Sequence, residues 1–151
     1  MPCHRECREV GLPPDRVFDL IADVEHYVEF LPSWQGVRVV GQEADGYDTE
    51  QTVGVGMLAH RFQTHTSLER PRAIVVTSND RVFSRFVIRW EFAPTPAGGC
   101  RIDFALDFAV CSWLLAPTVE MLMVPTASSM VSAFERRAHQ LATAEHTLPA
   151  H

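Results

Sequence analysis

The chain has 151 residues, enough for one domain with a substantial core, and 46% hydrophobic against 21% charged residues is an ordinary globular balance. A formal charge of −6 argues against a general nucleic-acid binder, and no DNA partner is expected. All thirteen basic residues are arginine, which excludes Schiff-base chemistry and lysine-dependent phosphate loops. The charge is uneven: residues 1–50 carry four arginines and eleven acids, whereas residues 51–101 carry seven arginines and three acids. No apolar run reaches the length of about eighteen residues that a membrane span needs. The opening MPCHRECREV has no apolar signal core. A cytoplasmic protein, at most peripheral at the inner membrane, is expected. Cys3, Cys7, Cys100 and Cys111 form neither a C-x-x-C pair nor a disulfide framework and read as reduced thiols.

In chain order, residues 3–10 read as a strand whose poor alternation suits a sheet edge. Leu12-Pro13-Pro14 ends it, and Pro14 suits a first helical position. Val17, Phe18, Leu20, Ile21 and Val24 give a short amphipathic helix; Asp23 is placed to cap a second one that Pro32 ends. From Trp34 the period changes to two. Strands are expected over 35–41 and 47–55, joined by a hairpin at Glu43-Ala44-Asp45-Gly46, with a bulge or bend at Gly54 and Gly56. Further strands follow over 58–68, 73–79, 82–93 and 101–110. In the last two, Phe86, Ile88, Trp90 and Phe92, then Ile102, Phe104, Leu106 and Phe108, occupy one face.

The last third, from Ser112 to about Ala144, is the one stretch long and apolar enough for a full-length core helix. Val119, Met123, Ala127, Met130, Phe134, Ala138 and Leu141 recur at steps of three or four. Pro125 falls within it and removes the hydrogen bond to the Met121 carbonyl. A kink there either bends the helix over the sheet or is a static feature of a packed protein. Hairpin connections force an antiparallel sheet with one face covered, and this helix is the available cover. The fold class is therefore α+β: a curved antiparallel sheet of six or seven strands, two short helices after strand 1, and a long C-terminal helix across the sheet.

Chemical motifs are sparse. There is no G-x-S-x-G elbow, Walker loop or G-x-G-x-x-G sequence opening a helix. His60 and His65, five apart in a strand, point to opposite faces and make poor co-ligands for a metal. Asp103 and Asp107 lie roughly 13 Å apart along a strand, too far for most paired-carboxylate chemistry. The inward faces are mostly apolar, with His60, Thr64 and Thr66 as polar exceptions. They either fill a core or line a cavity, and the methionines Met121, Met123 and Met130 suit an irregular ligand. Tyr27, Phe30, Leu31 and Trp34 straddle Pro32. They either flank a cavity mouth, touching membrane or ligand, or plug one end of the core.

The run Phe18-Asp19-Leu20-Ile21-Ala22-Asp23-Val24-Glu25-His26-Tyr27, with Glu29-Phe30-Leu31-Pro32, resembles the opening signature of the coenzyme-Q-binding START-like family. Bacterial members of that family are labelled ribosome association toxin A or oligoketide cyclase. Trp90-Glu91-Phe92, Asp107-Phe108 and the helix end Ala133–Ala138 resemble its later signatures, so that the likeness spans about Arg5 to Leu141. Val28 stands where the family usually has proline. The resemblance implies a helix-grip fold, with one lipid-binding domain over residues 1–146 and a disordered tail over 147–151. It further implies non-enzymatic binding or delivery of a polyisoprenoid quinone such as ubiquinone, in support of respiration or quinone biosynthesis, with no cofactor or metal. The expected cavity lining is Phe30, Leu31, Trp34, Phe62, Phe86, Ile88, Trp90, Phe104, Leu106, Met123, Met130 and Phe134. The same resemblance implies two alternatives. One is docking on the large ribosomal subunit to block subunit joining, through Arg61, Arg85, Arg89 and Arg101; the other is a polyketide cyclase-like enzyme.

Overall fold

The computed structural model describes residues 3–55, 58–114 and 116–147. Among them, seven strands form one curved antiparallel sheet: β1 (Cys3–Val10), β2 (Trp34–Glu43), β3 (Gly46–Val55), β4 (Leu58–Glu69), β5 (Ala73–Thr77), β6 (Phe83–Pro94) and β7 (Cys100–Val110). Helix α1 (Pro14–Ala22) and a 3-10 helix (Val24–Glu29) lead from β1 to β2, and α2 (Ala116–Thr147) follows β7. The spatial order is β1-β7-β6-β5-β4-β3-β2. Strands β2 to β7 thus pair with their sequence neighbours, as short turns require, while β1 returns to pair with β7. The expected edge position of β1 is observed, with β2 at the other edge.

The turns follow from residue type. Gly98 has a φ of 84° in the β6–β7 connection, a conformation that costs glycine little. At Gly46, opening β3, a Cβ would stand 2.3 Å from the Thr66 carbonyl oxygen, so the β3–β4 pair closes tightly only around glycine. The expected irregularity at Gly54 is not there. Gly54 pairs with Ala59 in register, and its N–H donates to the Ser33 carbonyl at 2.8 Å. Two register shifts fall in edge strand β2, between Trp34 and Gly36 and between Val39 and Gly41, where a free edge tolerates them, and another falls at the start of β6, between Phe83 and Arg85. Gly56 lies outside the described residues.

Two helices cover the concave face, not α2 alone. Pro14 opens α1, and Val17, Phe18 and Ile21 are buried. The Phe18 ring meets Phe92 edge-on at 6.0 Å and carries the Arg70 guanidinium on it at 4.5 Å. Asp23 does not cap the 3-10 helix through its side chain; its carboxylate pairs with His26 Nδ1 at 2.6 Å instead. In α2 the apolar stripe is as spaced: Ala127, Met130, Phe134 and Ala138 are buried, joined by Val131, Ala133 and Ala142. The helix runs unbroken across Pro125, which is exposed on the outer side. Thr147, expected in the tail, is still helical, and 148–151 lie outside the described residues. Helix α2 approaches β1, β7 and α1. There the core is solid: Phe18, Phe104, Phe108 and Phe134 are each at most 2% exposed.

Candidate functional site

Between the first half of α2 and strands β3 to β6 the molecule is hollow. A cavity of about 400 Å³ lies there, of the size that takes a small apolar ligand. Its sheet wall is Phe62 of β4, Ile74 and Val76 of β5, Phe83, Phe86, Ile88 and Trp90 of β6, and Leu106 of β7. Helix α2 contributes Thr118, Val119, Leu122, Met123, Thr126, Ala127 and Met130, mostly only half-buried. Steps of three and four bring these residues to the sheet side of the helix.

One wall is polar. Register pairs Tyr47 with Thr66, Thr49 with Thr64 and Gln51 with Phe62, and the inward faces of β3 and β4 therefore meet. Gln51 Nε2 donates to Thr49 Oγ1 at 3.0 Å and to Thr64 Oγ1 at 3.2 Å, and the two threonine hydroxyls are hydrogen-bonded to each other. Gln51 Oε1 accepts from Trp34 Nε1 at 2.8 Å. Thr49, Gln51, Thr64 and Thr66 are all buried, and among the described residues no buried side-chain nitrogen or oxygen lacks a partner. Each polar atom of the network thus has a partner, as burial demands.

Two phenols stand nearby, and both are spoken for. Tyr47 Oη donates to the Ala22 carbonyl at 2.7 Å, and Tyr27 Oη donates to that of Ile21. Burial pushes Tyr47 up to about 12, with a hydrogen bond from Thr66 offsetting part of the rise, and pushes Tyr27 well above the ordinary tyrosine value. Neither phenol ionises near neutrality. His60 sits half-exposed at the rim, stacked on Phe62 with ring centroids 6.2 Å apart and 3.4 Å from Asp80. His65 points away to Asp48 at 2.7 Å, as the odd spacing requires. Among the described residues, no group of three His, Cys, Asp or Glu side chains could hold a metal.

A family model described as polyketide cyclase / dehydrase and lipid transport matches residues 10–135. The chain belongs to that family. Within it, the chain is 32% identical over 129 residues to the ribosome association toxin of Pseudomonas aeruginosa, covering 85% of this chain and 90% of the relative. It is 28% identical over 144 residues to the mitochondrial coenzyme Q-binding protein of Schizosaccharomyces pombe, covering 91% and 87%. A START superfamily protein from Mycobacterium smegmatis superposes with a TM-score of 0.78 at 18% identity, over 92% of this chain and 98% of that one. The fold is the helix grip expected.

Eight of the twelve residues expected to line a cavity in this polyketide cyclase / lipid transport domain border it: Trp34, Phe62, Phe86, Ile88, Trp90, Leu106, Met123 and Met130. Four do not. Phe30 packs on Phe134 at 5.4 Å beneath the Arg137 guanidinium. Leu31, Phe104 and Phe134 are sealed in the solid part of the core, at 2%, 2% and 1% exposure. Phe104 and Phe134 are on the right strand and helix face but sit too far along it, where α1, β1 and α2 close together, and Leu31 lies in the connection before β2. Met121 is on the wrong side of α2, 68% exposed, and Leu122 takes the expected position. The Tyr27–Trp34 stretch does both things expected of it: Phe30 and Leu31 plug an end of the core, while Tyr27, edge-on against Phe134 at 5.3 Å and Trp34 at 6.3 Å, borders the cavity together with Trp34.

Sequence reasoning missed Tyr47, Thr49 and Gln51. Their signal was the alternation Tyr47, Thr49, Gln51, Val53 on one face of β3, which becomes informative only once the register against Thr64 and Thr66 is known.

Proposed function

We propose that this family member binds a polyisoprenoid quinone, or a closely similar apolar ligand, and carries it without transforming it. The observation that carries this reading is the cavity itself: about 400 Å³ walled mainly by aromatic and aliphatic side chains and half roofed by a loosely packed helix. The coenzyme Q-binding name of the Schizosaccharomyces pombe relative supports it. A carrier role is supported by the phenols, which are committed to backbone carbonyls and raised in pKa, and so are poorly suited to proton transfer at neutral pH. No described helix is long and apolar enough to cross a membrane. Bilayer contact during loading would fall to Trp113 and Leu114, 81% and 69% exposed just before α2, and to Met121. Unchanged vesicle co-sedimentation of Trp113→Ala would remove that contact.

Native mass spectrometry of the purified protein, before and after incubation with a short-chain ubiquinone, tests the main reading. A stoichiometric adduct of quinone mass is expected. Repeated preparations that neither retain nor take up quinone would overturn it.

A second reading, ribosome association, is favoured by the 32% identity to the Pseudomonas relative. The arginines assigned to it weaken it. Arg61 lies 3.4 Å from Glu50, Arg85 2.5 Å from Asp107, Arg89 3.2 Å from Glu91 and Arg101 3.3 Å from Asp103, so the sheet's outer face is charge-paired. A face that already neutralises its cations has little left to displace phosphate counterions. Sucrose-gradient profiles with the protein in excess should leave the subunit-to-monosome ratio unchanged; a rise in free subunits would promote this second reading over the first.

A further inference from the structure

The polar wall of the cavity has a hydrogen-bonding sense that can be counted. Gln51 Oε1 faces the Trp34 N–H, which can only donate; this fixes the amide, and Nε2 donates towards both threonine oxygens. Towards Gln51 both threonine oxygens therefore act as acceptors, and one hydroxyl donates to the other. Two hydroxyls bring two hydrogens, and their mutual bond uses one. If Thr64 donated, the spare hydrogen would belong to Thr49, which is 0% exposed and does not border the cavity. That arrangement strands a buried donor. If Thr49 donates, Thr64 accepts from both Gln51 and Thr49, its acceptor capacity is full, and its own hydrogen is left over. Thr64 borders the cavity.

We infer that Thr64 is the specificity-determining donor of the cavity, and that it selects apolar ligands carrying a carbonyl oxygen over hydrocarbons of the same shape. This rests on reading the cavity as a ligand site. With the cavity empty, water can take the Thr64 hydrogen; a hydrocarbon would displace that water and give nothing back, whereas a carbonyl restores the bond. Other head groups fit less well. Among the described residues bordering the cavity there is no arginine, and His60 stands at the rim already beside Asp80, so a carboxylate inside would be buried without a counter-charge. Tyr27 and Tyr47 spend their hydroxyl hydrogens on backbone carbonyls and Thr66 donates to Tyr47, leaving Thr64 as the free hydroxyl donor of the sheet wall; Thr118 and Thr126 border the cavity from helix α2, where a threonine hydroxyl can return its hydrogen to the carbonyl one turn back. The rest of the tetrad positions it: Trp34 orients Gln51, and Gln51 with Thr49 saturates the Thr64 oxygen.

The test compares two probes, decylubiquinone and decylbenzene, on the wild type, Thr64→Val and Thr64→Ser, with binding measured by competition for a fluorescent lipid. Val matches Thr in shape without the hydroxyl, and Ser restores it. Wild-type protein should prefer decylubiquinone. Thr64→Val should weaken decylubiquinone binding about five- to tenfold while leaving decylbenzene unchanged or tighter, and Thr64→Ser should retain most of the preference. Equal losses for both probes, or full quinone affinity in a folded Thr64→Val, would overturn the inference and leave the cavity reading standing. If the wild type binds neither probe, both readings fall. Should Thr64→Val not fold, the preference of the wild type together with its loss in Gln51→Leu carries the test; no change in Gln51→Leu would overturn the inference.

Discussion

The two halves of helix α2 carry the same three-four spacing of apolar residues and meet different fates. Past Ala127, the stripe is clamped: Met130, at the edge of the cavity, and then Phe134 and Ala138 are buried where α2 approaches β1, β7 and α1. Before it, Val119, Leu122 and Met123 remain half-buried over a void. The side chains opposite account for much of the difference. Under the second half lies Phe104, with Trp90 and Tyr27 at the boundary between core and cavity; Trp90 is 4.7 Å from Phe104 and 5.4 Å from Phe134. Under the first half, strands β3 and β4 present threonines and a glutamine whose polar atoms bond one another, leaving the space between sheet and helix unfilled. An amphipathic stripe shows which side of a helix faces inward, but not whether anything fills the space beyond.

The contrast can be broken most sharply in the solid half. Phe134→Ala removes a ring that meets Tyr27, Phe30 and Trp90 at 1% exposure. It should cost about 3–5 kcal/mol in denaturant unfolding. A loss under about 1 kcal/mol would mean that this half is loose as well. In the hollow half, Leu122→Trp adds bulk where there is room. Stability should stay within about 1 kcal/mol of wild type while quinone affinity falls at least tenfold, or about 1.4 kcal/mol. A strongly destabilised Leu122→Trp, or one with intact binding, would show that the void is not where the ligand goes.

The smallest effect belongs to the seam between β1 and α2. There Glu6 accepts from His4 at 2.6 Å and Arg8 at 2.5 Å, while Arg8 Nε reaches Glu135 at 3.3 Å. Burial works to raise the Glu6 pKa, but the His4 and Arg8 hydrogen bonds together outweigh it and hold the carboxyl below its ordinary 4.5. A carboxyl depressed on folding adds stability that is present above pH 4.5 and lost as pH falls through its lower folded value. Glu6→Gln should therefore cost about 1 kcal/mol near neutrality and flatten the acid side of the stability–pH curve below pH 4.5. A wild-type acid slope retained in Glu6→Gln would assign that slope to other carboxylates.

Local chemistry wrote much of this protein into its sequence. Period-two alternation placed Phe86, Ile88, Trp90 and Leu106 on the inner face, Pro14 opened α1, and the α2 stripe identified Met123 and Met130 as inward. These are properties of residues a few positions apart, and strand and helix geometry fix them. Distance along an element was not legible. Phe104 and Phe134 share a face with true lining residues yet lie where α1 and β1 close the core. The Tyr47–Thr49–Gln51 face acquired meaning only through its register against Thr64 and Thr66. Sequence alone determined which face each side chain takes, because the backbone period dictates it. Tertiary structure decided which of those faces meet across a void, because that depends on the register and curvature of strands far apart in the chain.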